Sequence, residues 1–139
     1  ELQSRMGLSV VLVTHDISVV AYACDRVVVM YAGRVVETGR VAEVLERPRH
    51  PYTMGLTNAF PDLERAAGEL VPIEGSPPSL LDPPKGCRFA ARCPFALPRC
   101  TAEEPPLETD AEGHASACWR GAEAAELRPL AAEAATWRS

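Results

Sequence analysis

All thirteen prolines of this 139-residue chain stand at or after Pro48, and the first 47 residues contain none. Proline removes a backbone donor and breaks helix interiors and central strands, so long regular elements are confined to the first third. The remaining two thirds is expected to be a module of short pieces and turns. Such a module buries too little apolar surface to hold itself together without another device. Four of the five cysteines, Cys87, Cys93, Cys100 and Cys118, fall within it.

Residues 1–50 carry six arginines against six acids, and residues 51–139 carry eight basic residues against thirteen acidic ones. The net charge of −5 gives nucleic-acid binding no electrostatic support. Apolar residues at 47% and charged residues at 24% are ordinary soluble composition. The apolar run Leu8–Val13 is far short of the roughly 20 residues that cross a bilayer. No basic-then-apolar leader opens the chain, and residue 1 is Glu, so the chain is expected to be a piece of something longer.

Within the first third, Leu8–Val13 reads as a strand buried on both faces of a parallel α/β sheet. It ends in Thr14-His15-Asp16. A helix follows, capped by Asp16 or Ser18, with Val19, Val20 and Tyr22 on its buried side. Asp25 to Tyr31 reads as a strand, Ala32-Gly33 as a tight turn, and Arg34–Glu37 as its hairpin partner. Val41, Val44 and Leu45 share one face of a short helix that closes before Pro48. A polar residue at the C-terminal end of a buried parallel strand occupies the place where α/β proteins hold ligands, which singles out His15. Cys24 reads as a small buried apolar residue.

Leu12-Val-Thr-His-Asp16, the strand to Met30 and Gly33-Arg-Val-Val-Glu-Thr-Gly39 together resemble the end of an ABC-type ATPase nucleotide-binding domain. The resemblance implies that His15 contacts the γ-phosphate and attacking water of ATP, as a catalytic and nucleotide-binding residue. An imidazole N–H can donate to a phosphate oxygen. The chain has no G-x-x-x-x-G-K-[ST] to cradle phosphates, no acidic strand end before His15 to hold Mg²⁺, and no Gly-rich signature helix. It is therefore expected not to hydrolyse ATP by itself.

After Pro48, His50-Pro51-Tyr52 precedes a short helix with Pro51 in its first turn. His50 and Tyr52 read as packing residues. Residues 61–86 are expected to be extended segments and turns, with Leu70–Ile73 as a short edge strand and Ser79–Leu81 as an apolar plug. The string His50-Pro51-Tyr52, with Pro72–Pro78, resembles the C-terminal extension of the ATPases of oligopeptide/dipeptide ABC importers.

Cys87, Cys93, Cys100 and Cys118 stand as C-x5-C-x6-C-x17-C. Four thiols in so short a stretch suit a small fold nucleated by a tetrahedral centre. Lys85, Arg88, Arg92 and Arg99, with no acid between them, are expected to favour thiolates there. Structural zinc accepts Cys₄, or three Cys with His114, although these gaps are wider than the usual knuckles. An iron–sulfur cluster also takes four Cys, but the spacing matches neither common ferredoxin pattern. Unmetallated thiols are the remaining reading, and disulfides are disfavoured in the reducing cytosol where an ATPase subunit works. The resemblance to peptide-importer ATPases implies a [4Fe–4S] cluster, with zinc as the alternative. Phe89, Phe95 and Trp119 read as shielding, and residues 121–139 as a weakly helical or disordered tail.

The fold expected is thus α/β: the C-terminal fragment of a P-loop ABC ATPase domain (residues 1–47), then a small irregular Cys-rich, Pro-rich module (48–120) and a tail (121–139). The resemblance implies ATP and Mg²⁺ as ligands of the parent protein. It implies a second ATPase subunit, transmembrane permease subunits and, indirectly, a peptide-binding protein as partners, at the cytoplasmic face of the membrane. The rival is a stand-alone metal-binding or redox regulatory module.

Overall fold

The Val-rich segment Arg26–Tyr31 (β1) and its return Arg34–Arg40 (β2) pair antiparallel, from Arg26 opposite Arg40 to Tyr31 opposite Arg34, with a bulge between Val29 and Met30. Ala32 and Gly33 connect them at φ of 47° and 78°. Positive φ at both central positions is the turn geometry whose twist matches that of paired strands. A computed structural model describes residues 5–58 and 72–138 of the chain. The expected Leu70 and Val71 portion of an edge strand lies outside the described residues, while Pro72 and Ile73 belong to no strand.

The sheet does not stop at the hairpin. Glu108–Thr109 (β3) and Ala115–Ser116 (β4) complete a four-stranded antiparallel sheet of order β1-β2-β4-β3. β4 lies against β2 with Glu37 opposite Ser116 and Thr38 opposite Ala115. The β3–β4 turn is held by Asp110, whose Oδ1 accepts from Glu112 N–H at 3.0 Å and His114 N–H at 2.9 Å. Strands from both sides of Pro48 therefore share one sheet.

Helix α1 (Ile17–Ala23) is capped as expected: Asp16 Oδ1 accepts from Ser18 N–H at 2.8 Å and Val19 N–H at 3.4 Å. Its expected buried side is not buried, since no residue of α1 is enclosed and Tyr22 is 95% exposed. Cys24, at its end, is half-buried rather than buried. The buried parallel strand expected over Leu8–Val13 is likewise absent: these residues join no ladder, and Val11 and Val13 are more than nine-tenths exposed. A doubly buried strand needs a neighbour on each edge and a layer on each face. Among the described residues, nothing supplies either.

Val41–Glu46 (α2) and Pro51–Asn58 (α3) come after the hairpin. Pro98–Ala102 (α4) carries Cys100, and Ala124–Ala131 (α5) is a helix within the tail expected to be weakly helical or disordered. The sequence does hold the signal for α5: Ala124, Leu127 and Ala131, at i, i+3 and i+7, form its buried face. That face packs with Tyr31, Val36, Met54, Phe89 and Trp137 into one core. Trp137 donates its indole N–H to Ala131 O at 2.7 Å, satisfying the only polar atom of a buried ring.

Candidate functional site

The polar centre of the molecule is Glu37 on β2, completely buried. Its Oε1 accepts Arg49 N–H at 2.7 Å and its Oε2 accepts His50 N–H at 2.9 Å, the free donors at the start of α3. His114 Nε2 lies 2.7 Å from the same Oε1. A buried carboxylate is tolerated only when its lone pairs are filled in this way. The segment is tied once more through Arg49, which reaches Asp110 at 3.0 Å and His114 O at 3.2 Å.

His50 caps α3 from within. Its Nδ1 accepts the Tyr52 N–H at 3.1 Å, and its carbonyl accepts from Met54 N–H. Nδ1 thus carries no proton, and the neutral ring holds its proton on Nε2. Burial lowers the His50 pKa to about 4, against a smaller opposing pull from Glu37, so the ring is neutral at physiological pH.

On the far side of His50 lies a cavity of about 20 Å³, on the scale of one or two waters. Its walls bring together Cys87, Cys93, Cys100 and Cys118 with the His50 imidazole, Phe89, Phe95 and Trp119. The four cysteines come from four separate places. Cys87 follows the close approach of Gly86, Cys93 ends the short 3₁₀ turn Ala90–Arg92, Cys100 sits in α4, and Cys118 is two residues beyond β4. Cys87 N–H donates to Cys100 O at 2.7 Å, joining the first and third.

Each sulfur is met by backbone N–H groups. Those of Phe89 and Ala90 face Cys87, that of Phe95 faces Cys93, that of Arg120 reaches Cys118 at 3.4 Å, and that of Leu97 reaches Cys100 at 3.4 Å. Such donors stabilise negative sulfur. As free thiols Cys93 and Cys118 are nonetheless protonated at neutral pH. Burial pushes Cys93 up to about 12 and Cys118 up to about 11, and raises Cys87, with the neighbouring sulfurs adding to each rise. All four are free of disulfides. Among the described residues, no three His, Cys, Asp or Glu side chains stand close enough together to hold a metal ion.

The expected effect of the basic residues is therefore not what governs this site; burial outweighs it. Arg88 donates to Ala32 O, and Arg92 donates to Ile73 O at 2.6 Å, Glu74 O at 2.8 Å and the Tyr31 hydroxyl at 3.1 Å. Arg99 lies over the Trp119 ring at 3.4 Å. These side chains fasten the segment to β1, its turn and the cavity wall. His114 is not a wall of the cavity and is engaged with Glu37. His15 is exposed, in a bend just before α1, and is not among the cavity residues.

Residues 36–100 match the family described as the oligopeptide/dipeptide transporter C-terminal region. The matched stretch is 65 of the 139 residues. It contains Glu37, His50 and three of the four cavity cysteines. The chain is 48% identical over 128 residues to a protein of Sinorhizobium fredii named as a probable peptide ABC transporter ATP-binding protein, covering 91% of this chain and 38% of that one. It is 42% identical to a dipeptide transport ATP-binding protein of Bacillus subtilis over 96% of this chain and 40% of the relative. An oligopeptide transport ATP-binding protein of Salmonella typhimurium is 45% identical over 88% of this chain and 36% of the relative. The chain thus spans roughly two fifths of the length of these relatives. No helix among the described residues is long and apolar enough to cross a membrane.

Proposed function

We propose that the chain is the C-terminal part of the ATP-binding subunit of an ABC importer for oligopeptides or dipeptides. The observation that carries this reading is the match of residues 36–100 to the transporter C-terminal region, flanked by identity to peptide-transport ATP-binding proteins on both sides. In this reading the subunit binds ATP and Mg²⁺ through residues upstream, sits at the cytoplasmic face of the membrane, and pairs with a second ATPase subunit and with permease subunits served by a peptide-binding protein. His15 supplies an imidazole N–H to the γ-phosphate and the attacking water. Its exposed place after Leu8–Val13, itself exposed and apolar, fits a surface completed by the rest of that domain.

The four cysteines are the proposed ligands of a metal centre that fastens the C-terminal module. The support is chemical: four sulfurs on one cavity, each facing a backbone donor, and no disulfide. A [4Fe–4S] cluster is the reading the resemblance favours, and zinc is the alternative. Either would act here as a cross-link between the turns at Cys87 and Cys93, helix α4 and the strand end at Cys118.

A chimaera tests the transport reading. This chain replaces the corresponding C-terminal stretch of the Bacillus subtilis dipeptide transport ATP-binding protein, and dipeptide uptake by cells is measured. Restored uptake that is lost on His15→Ala supports the proposal; a folded, assembled chimaera without uptake, or one indifferent to His15→Ala, overturns it. Visible absorption of anaerobically purified chain separates the centres, since iron–sulfur is brown and d¹⁰ zinc colourless.

A further inference from the structure

We infer that His50 is a positioning residue of the sulfur cavity, donating its Nε2–H to the sulfur of whatever centre the four cysteines hold. This rests on the reading of the cysteines as ligands. The imidazole is 1% exposed and forms part of the cavity wall alongside all four sulfurs. Its Nδ1 is committed to the Tyr52 N–H, which puts the proton on Nε2 and removes Nε2 from consideration as a ligand. Among the described residues, no protein group accepts from Nε2, while the other polar atoms of His50 are all used: N–H to Glu37, Nδ1 from Tyr52 and O from Met54. The other side chains of the wall are the four cysteines, apolar and aromatic residues and Arg120, itself a donor, so the sulfurs are the side-chain acceptors within the cavity for this N–H. A thiolate sulfur, anionic once it holds a metal, is the acceptor that such a donor fits.

The backbone sets the donor in place. Glu37 holds the His50 N–H from below, and Phe89 packs on the ring with centroids 5.9 Å apart. The ring is therefore fixed at both ends, and its role in capping α3 is separable from its role at the cavity. Asn at position 50 places an oxygen near the Nδ1 position and keeps the cap, but has no donor at Nε2. Gln places an amide N–H near Nε2 and loses the cap.

The full chain, its His50→Asn and its His50→Gln variants are compared in two arms. In one, Zn²⁺ affinity is measured by competition with a chromophoric chelator. In the other, chain treated with iron and sulfide under argon is followed by visible absorption and its midpoint potential. Expected is a roughly 10–100-fold loss of metal affinity in His50→Asn, or, in the iron arm, a midpoint shifted to more negative potential, because a lost hydrogen bond no longer stabilises the reduced, more anionic centre. His50→Gln stays close to the parent chain in both arms. Thermal midpoints of the metal-free proteins fall in the opposite order, with His50→Gln the lower. Parent-like affinity and potential in His50→Asn overturn the inference, as do equal losses in both variants. A parent chain that takes up neither zinc nor a cluster overturns the ligand reading and this inference with it.

Discussion

Glu37 on β2 and His114 on the β3–β4 turn meet at 2.7 Å through Oε1 and Nε2, both buried, across 77 residues of sequence. The same carboxylate receives the first free N–H groups of α3, so one side chain joins the hairpin, the His50-Pro51-Tyr52 segment and the C-terminal strands. Replacing it by alanine leaves three donors without an acceptor, two of them buried. Glu37→Ala is expected to cost about 3–5 kcal/mol, read from urea unfolding followed by tryptophan fluorescence. A loss below about 1 kcal/mol contradicts the assigned role.

Acid should weaken the metal-free fold through His50. Its folded pKa, about 4, lies below the ordinary 6.5, so between those values the unfolded chain binds the proton more readily. The stabilisation is complete above pH 6.5 and is lost as pH falls toward 4, a drop of about 3 kcal/mol. Asp110 acts in the same direction at lower pH. The His114 N–H holds its carboxylate below the ordinary range, so its contribution disappears as pH falls through that lowered value. Unfolding midpoints between pH 7 and 4 should be flatter in His50→Asn than in the parent chain.

Gly86 has no room for a side chain. A Cβ there would stand 2.3 Å from Cys100 O and 2.6 Å from Thr101 C, both backbone atoms. Gly86→Ala is expected to push the Cys87 and Cys100 segments apart, costing about 3 kcal/mol, the upper end for overpacking. Metal uptake should fall with it, measured by the same chelator competition.

Leu127, 1% exposed, faces the core from α5. Leu127→Ala should lower stability by about 3 kcal/mol, whereas Tyr22→Ala, at a ring 95% exposed, should stay within about 0.5 kcal/mol. Chemical denaturation of the two variants in parallel decides this.

Metal uptake should be proton-coupled. Cys93 and Cys118, pushed up to about 12 and 11 by burial, hold their protons at neutral pH and must release them to ligate. Zn²⁺ binding to reduced chain is expected to release acid and to tighten steeply as pH rises from 6 to 8, measured by pH-stat and by chelator competition. An affinity flat with pH contradicts the assignment.

The hairpin was legible because its signals are local: a Val-rich run, a two-residue turn and a return. The cap at Asp16 and the Pro51 helix were legible for the same reason. Leu8–Val13 misled because a run of valines reports what a strand would bury, not whether the neighbours that bury it are at hand. The four cysteines could be grouped by spacing, yet nothing in the spacing revealed that His50 shares their cavity or that Glu37 anchors His50. Both depend on pairings between distant segments. Glu37 reads as one more polar residue at a strand end, and only β4 lying alongside β2 encloses it. The arginines misled in another way: charge counted along the sequence ignores that Arg88 and Arg92 spend themselves on carbonyls.

Cys118 lies two residues past the β4 rung in which Ser116 faces Glu37. Sliding β4 by a single rung would carry that sulfur roughly 3.3 Å along the strand and turn alternate side chains to the opposite face. The alignment of two short strands therefore acts as a ruler for the fourth thiol, so an insertion or deletion inside β2, remote in sequence from every cysteine, should misplace it.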